Sequence, residues 1–226
     1  KAAVALASAD VEVGVRVTTL PRVAGLLGVR LTERPDGPTK DLSAEQIRDQ
    51  ALCISGKLND EMYGPSVYPY QPKGLWEAAS SGRGILARYN QDHGESLYRR
   101  GMYTFIKRTV PPASMSIFDA SNRDQCEIKR LNTNTPLQAL VMLNDPTVLE
   151  ASRVLAAKLL QEDTKLEAKI IKAFRLIVCR HPNEKEIALL NDYYTSQVKA
   201  FQQTSKAEKT LAVGEYPIPN QLNKSS

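Results

Sequence analysis

Of the chain's two histidines, His93 lies two residues from a carboxylate, in Asp92-His93-Gly94-Glu95. A histidine and a glutamate so placed in a loop could share a metal ion or pass a proton. The spacing matches no recognised ligand pattern, and a solvated loop histidine accounts for it equally. His181 falls in a predicted turn between helices. Further on, Asp119, Asn122 and Asp124 give D-x-x-N-x-D, with Glu127 behind. Hard oxygen ligands this close suit calcium, although the EF-hand spacing and its glycine are absent. The same residues can instead hold the loop through their own backbone as Asx turns. His93, Glu95, Asp119 and Asp124 are thus the candidates for a catalytic cleft acting on a carbohydrate or in redox chemistry, if the fold brings them together. No G-x-S-x-G, P-loop, G-x-G-x-x-G or H-E-x-x-H accompanies them, so hydrolase, nucleotide and zincin readings find no support.

A different chemistry is concentrated between Leu97 and Asp145. Seven Arg and Lys residues stand there against four acids, interleaved with aromatics. Arg99, Arg100, Arg108, Arg123 and Arg130, with Tyr98 and Tyr103, have the composition of an oxyanion-binding surface. Guanidinium forks bond sulfate or carboxylate oxygens bidentately, and rings stack on sugars or bases. Asn134 and Asn144 add a polar rim around the helix predicted at 136–143. The alternative reading makes some of these arginines internal clamps onto Asp119, Asp124 or helix C-termini. No RRM, KH or helix-turn-helix signature is present, which argues against nucleic acid.

The elements that must position these groups are mostly helical. Ser43 and Gln46 form a capping-box pattern before the stripe Ile47, Ala51, Ile54 and Leu58; Arg48 and Asp49 are expected to point away from that stripe. Gly64 to Gly74, GPSVYPYQPKG, excludes helix and central strand and reads as extended chain. Ser80 to Gly84 reads as a flexible link, and Ile85 to Tyr89 as a short strand. Leu97 to Thr109 is ambiguous; Tyr98, Met102, Phe105 and Ile106 at helical spacing favour helix, ended by Pro111-Pro112. Thr135 with Gln138, Thr164 with Glu167 and Asn183 with Glu186 open further helices, each with a box, and Asp145 caps another ahead of Pro146. The predicted fold is mainly α: a C-terminal antiparallel or orthogonal helix bundle, an irregular Pro-rich middle, and little β. Three segments are expected: a divergent 1–41 with strand-like alternation at Val11 to Val17, a helical domain at 42–216, and a flexible tail at 217–226.

At 226 residues, with a net charge of +5 and a pI near 9.1, the chain permits an anionic partner without requiring one. No run of 18 apolar residues occurs, so no transmembrane segment is predicted. Three cysteines, without a C-x-x-C, leave no haem-attachment or zinc-knuckle motif. Cys53 and Cys179 are expected in the core and Cys126 in an exposed loop. Ala7-Ser8-Ala9 offers small residues of the kind signal peptidase takes, so the start reads either as the tail of an export signal or as the edge of a fragment.

Several long blocks resemble a known family: LSAEQIRDQAL at 42–52, GPSVYPYQPKGLW at 64–76, YRRGMYTFIKRTVPPASMSIFDASNRDQCEIKR at 98–130, NTPLQALVMLNDPTVLEASRVLA at 134–156 and AFRLIVCRHPNEKEI at 173–187. In that order they are similar to the C-terminal domain of planctomycete-type cytochrome c proteins, domain-of-unknown-function family 1553, in a Bacteroidetes-like variant. Residues 1–41 do not resemble what precedes the first block in that family. The resemblance implies an exported protein of the periplasm or cell envelope, in a setting linked with polysaccharide utilisation. It implies no cofactor for this chain, a c-type haem on a parent polypeptide, and a protein partner or upstream cytochrome domain. It transfers no catalytic residue. The function expected is an accessory or binding module that engages an anionic polysaccharide or a partner protein; the alternative is an enzyme domain with a His/carboxylate cleft.

Overall fold

The computed structural model describes residues 42–78, 86–121, 123, 126–131, 133–202 and 212–217. The expected strand at Val11 to Val17, the link at Ser80 to Gly84, the segment 1–41 and most of the tail lie outside them. The chain divides into two compact units, one within Asp41–Thr147 and one that includes Val148–Ser226.

The first unit opens with α1 (Ala44–Ser55). Ser43 Oγ accepts from the Gln46 amide at 3.3 Å and the Gln46 side chain accepts from the Ser43 amide at 2.9 Å, which closes the box read from the sequence. The buried face of α1, however, is Ala44, Leu52 and Ser55, with Arg48 turned inward beside them. The stripe Ile47, Ala51, Ile54 and Leu58 is only half-buried. The 3.6-residue period is as expected, but the face is turned by one residue, about 100°. Leu52, Leu97 and Tyr98 form the local core, with Leu58 and Tyr70 packed on it. The Pro-rich stretch runs extended into a short α2 (Leu75–Ala78).

Leu97 to Thr109 is not an α-helix. Two 3₁₀ turns, Gly94–Tyr98 and Gly101–Tyr103, are followed by extended chain. The cause is competition for backbone groups. Asn59 donates to Tyr98 O at 2.9 Å, Val67 to Tyr103 O at 2.8 Å, and Phe105 to Val67 O at 2.8 Å. A continuous helix would have kept those groups for itself. These pairings remain isolated bridges, and no named strand occurs among the described residues. Leu86 to Tyr89, the described part of the expected strand, forms a turn and bends. Then come α3 (Ala113–Ile117) and α4 (Pro136–Asn144), the latter capped by the Thr135–Gln138 box. α1 packs against the second 3₁₀ turn and α3, and α3 against α4.

α5 (Pro146–Gln161) starts at the end of this unit, where the Asp145 carboxylate accepts from the Thr147 amide at 2.9 Å. The second unit holds the rest of α5, then α6 (Leu166–Val178) and α7 (Glu184–Gln202), which pack on each other. α6 does not use the predicted Thr164 box. The chain first turns back, with Thr164 N donating to Glu162 O at 3.0 Å, and the helical ladder begins from the Lys165 carbonyl. The box opening α7 does form, with Glu186 N to Asn183 Oδ1 at 2.9 Å and Asn183 N to Glu186 Oε2 at 2.8 Å. The fold is mainly helical with an irregular Pro-rich middle. Among the described residues, no helix is long and apolar enough to cross a membrane.

Candidate functional site

The loop from Asn59 to Ser66 is tightly constrained, and the residue that constrains it is Arg99. Arg99 is 5% exposed. Its Nη1 donates to Pro65 O at 2.9 Å, and its Nη2 donates to Glu61 O at 3.2 Å and also to Tyr63 O. The guanidinium carbon lies 4.0 Å from the centroid of the Tyr103 ring, a cation–π geometry. Tyr103 in turn accepts the Tyr63 amide on its hydroxyl at 2.8 Å. One side chain thus ties together three carbonyls of a loop that has no ladder of its own. Gly64 takes φ +86°, a conformation that glycine adopts without strain, and a Cβ built there would lie 3.6 Å from Arg99 Nη1.

Tyr63 takes φ +70° as well. For a bulky residue that conformation costs on the order of 1–3 kcal/mol and persists only where surrounding contacts enforce it. Yet Tyr63 is 80% exposed, so its ring returns little packing to the fold. Met62 is also more than half exposed. Arg100 reaches the same place. Its Nη1 lies 4.0 Å from Met62 Sδ, and its Nε lies 3.7 Å from Asp49 Oδ2 with the side chain 41% exposed. Asp49 is fixed by accepting the Gly101 amide at 2.5 Å. Arg48 supports the far side: Nη2 donates to Leu97 O at 2.5 Å and Nη1 to Thr147 Oγ1 at 3.2 Å. Burial pulls its guanidinium below the usual arginine range, against the pull of Asp145 and Asp49. Arg48 and Asp49, expected to face away, are therefore the braces of this region.

Behind the loop lies an aromatic cluster. Tyr68 stacks on Phe105 at 4.7 Å between centroids, Tyr89 meets Tyr68 at 5.7 Å and Trp76 at 5.1 Å, and Lys107 sits 4.5 Å over Trp76. The Trp76 indole donates to Leu86 O at 2.8 Å, and the Tyr89 hydroxyl donates to Pro69 O. Burial raises the Tyr89 phenol far above its ordinary range. Trp76 is buried and the others half-buried, so the rings act as the core of the Pro-rich middle.

The expected ligand-facing residues divide. Tyr98 is buried under Lys57, and Arg99 is folded inward; the clamp Arg99 makes is onto the backbone carbonyls of Glu61, Tyr63 and Pro65. Arg130 is half-buried and pairs with Glu45 at 2.7 Å. Its hydrogen bond opposes the effect of burial on Glu45, and the carboxyl ends below its ordinary range. Tyr103 and Arg100 border the clamped loop. Arg108, Arg123, Asn134 and Asn144 are exposed, with the Asn144 side chain donating to Leu140 O at 2.7 Å. His93 and Glu95 are exposed at the start of the first 3₁₀ turn. Asp119 Oδ2 accepts both the amide and the hydroxyl of Thr133 at 2.7 Å. Asn122 and Asp124 lie outside the described residues. Among those described, no group of three or more His, Cys, Asp or Glu is arranged to hold a metal. Cys53 and Cys179, expected in the core, are exposed, as is Cys126.

The second unit holds a charged pair that the sequence did not announce. Glu150 and Arg153 on α5 are 2% and 3% exposed. Glu150 Oε1 accepts the Tyr216 amide at 2.6 Å; Arg153 Nη2 donates to Tyr216 O at 2.6 Å and Val213 O at 3.3 Å. A Cβ on Gly214 would fall 2.2 Å from Glu150 Cδ. The only sequence signal was the i, i+3 spacing of opposite charges, which usually marks a solvated face.

The described residues are mainly helical, and the loop from Asn59 to Ser66 is held by the buried Arg99. The family model described as "Protein of unknown function (DUF1553)" matches residues 32–194, and the chain belongs to that family. The match opens inside the segment 1–41 set apart above. No curated protein and no solved structure matches the chain.

Proposed function

We propose that this chain is an accessory recognition module, not a catalytic one, and that it serves an exported, cytochrome-c-linked protein of the periplasm or cell envelope. In this reading the c-type haem belongs to a parent polypeptide, and the partner is a protein, in the first instance the upstream cytochrome domain. Export and haem rest on the resemblance of the sequence blocks to planctomycete-type cytochrome c proteins. Recognition rests on one observation: Arg99 holds an exposed, strained Met62–Tyr63 loop in a single shape. Strain kept under an exposed aromatic suits a function on that surface, and a loop ordered in advance loses little entropy on binding.

An anionic polysaccharide is the second reading, favoured by the exposed Arg108, Arg123 and Lys129. The test is titration of the full chain, by calorimetry, with the upstream domain of its parent polypeptide, with polygalacturonate and with neutral dextran. Saturable binding to the protein domain, with no response to either glycan, is the expected result. Saturable binding to polygalacturonate that weakens with salt would establish the second reading. Turnover of a glycan would overturn both.

A further inference from the structure

The geometry points to the chemistry of the partner at the clamped loop: a polypeptide segment that sets an apolar side chain on Tyr63 and Met62 and a carboxylate on Arg100. This rests on the recognition reading above and deepens it. Four observations carry it.

The exposed groups are a methionine, a tyrosine and an arginine, side chains that are enriched in the cores of protein–protein interfaces. Met62 is unbranched and polarisable, so it can mould to an apolar side chain. It offers no strong donor or acceptor for the hydroxyls of a sugar. Arg100 is only partly neutralised. Asp49 sits on its Nε side at 3.7 Å, while Nη1 meets the Met62 thioether at 4.0 Å, a weak acceptor. The half-exposed end of the guanidinium fork is thus the place where a carboxylate would gain most. Finally, Asp60 and Glu61, both exposed, directly precede Met62. They repel a continuous polyanion such as a uronate chain, but tolerate a single carboxylate seated on Arg100.

The test uses the full chain with 13C-labelled methionine methyl groups. Met62 then reports on the surface, and buried Met115 reports on the fold. The probes are the peptide acetyl-Gly-Asp-Leu-Phe-Gly-amide, its twin with Lys for Asp, and oligogalacturonate. The Met62 methyl signal is expected to shift and saturate with the Asp peptide while Met115 stays still. The Kd is expected to rise about tenfold or more for the Lys twin, and for R100Q or Y63A with the wild-type peptide. R100K, which keeps the charge without the fork, should fall between. Unchanged signals, equal Kd for the two peptides, or a response of Met62 to oligogalacturonate would overturn the proposal. If R100Q and Y63A still bind the upstream domain as the wild type does, the surface assigned here is wrong while the recognition reading stands.

Discussion

Two buried arginines, one in each unit, do related jobs with opposite results. Arg99 and Arg153 both reach backbone carbonyls of a segment without secondary structure. Arg153 works beside Glu150, and the pair draws Val213 to Tyr216 onto α5, so a strap of chain is consumed by packing. Arg99 is paired with a ring rather than a carboxylate, and it holds its loop so that Met62 and Tyr63 stay in solvent. The same donor thus serves burial in one unit and display in the other. A buried charge with a buried counter-charge is an architectural element; one that maintains an exposed strained residue points outward, to recognition.

Breaking the strap should have the largest effect. Replacing Glu150 by Ala leaves Arg153 buried without its counter-charge, which typically costs about 3–5 kcal/mol; calorimetric unfolding should show the second unit's transition fall sharply. Gly214→Ala should act in the same direction, because its Cβ and the Glu150 carboxyl compete for one space and its φ is +82°. A Tm equal to wild type in both variants would show that the strap carries no load.

Removing the other arginine should be milder and more local. Arg99→Met frees three carbonyls of an exposed loop that water can then reach, so the total loss should be about 1–3 kcal/mol and confined to the loop. Hydrogen exchange should accelerate at Glu61 to Gly64 before it does in α1. Tyr63→Gly sharpens the contrast, since it relieves the positive φ and should leave stability unchanged or raise it by about 1 kcal/mol, while abolishing the response to the acidic-apolar peptide. A variant that is more stable and functionally silent is the signature of strain kept for a purpose. If Tyr63→Gly destabilises, Tyr63 is a packing residue and the comparison fails.

The smallest effect concerns pH. Arg180 donates to both oxygens of Glu186, at 2.9 and 2.6 Å, and these bonds hold the Glu186 carboxyl below its ordinary range. A carboxyl depressed in the folded state stabilises above its unfolded pKa and loses that contribution as the pH falls through the folded one. Acid titration of unfolding should therefore show a limb in the acid range that Glu186→Gln flattens. An identical limb in the variant would assign it to other carboxylates.

What could be read in the chain was local. The boxes at Ser43, Thr135 and Asn183 join residues three apart, so nearest-neighbour chemistry decides them. Even there Thr164 failed, because a turn between Glu162 and Thr164 delayed the helix start to Leu166. At the candidate site the cation-rich segment and its rings were visible, and so was the alternative that some arginines are clamps. The braces Arg48 and Asp49 were hidden, because a buried arginine in a helix looks like a solvated one until its acceptors are known.

The sequence by itself determined that this protein is mainly helical, where most of its helices start, that its middle is irregular, and which family blocks it carries. Caps, prolines and apolar periods act over a few residues and need no distant partner. Only the tertiary structure decided which arginines face inward, that Leu97 to Thr109 gives up a helix to pair with residues 59–67, and that Glu150 and Arg153 await a segment some 60 residues away. Backbone carbonyls carry no sequence signature. A guanidinium that binds them can therefore be recognised only once the fold has brought them within reach.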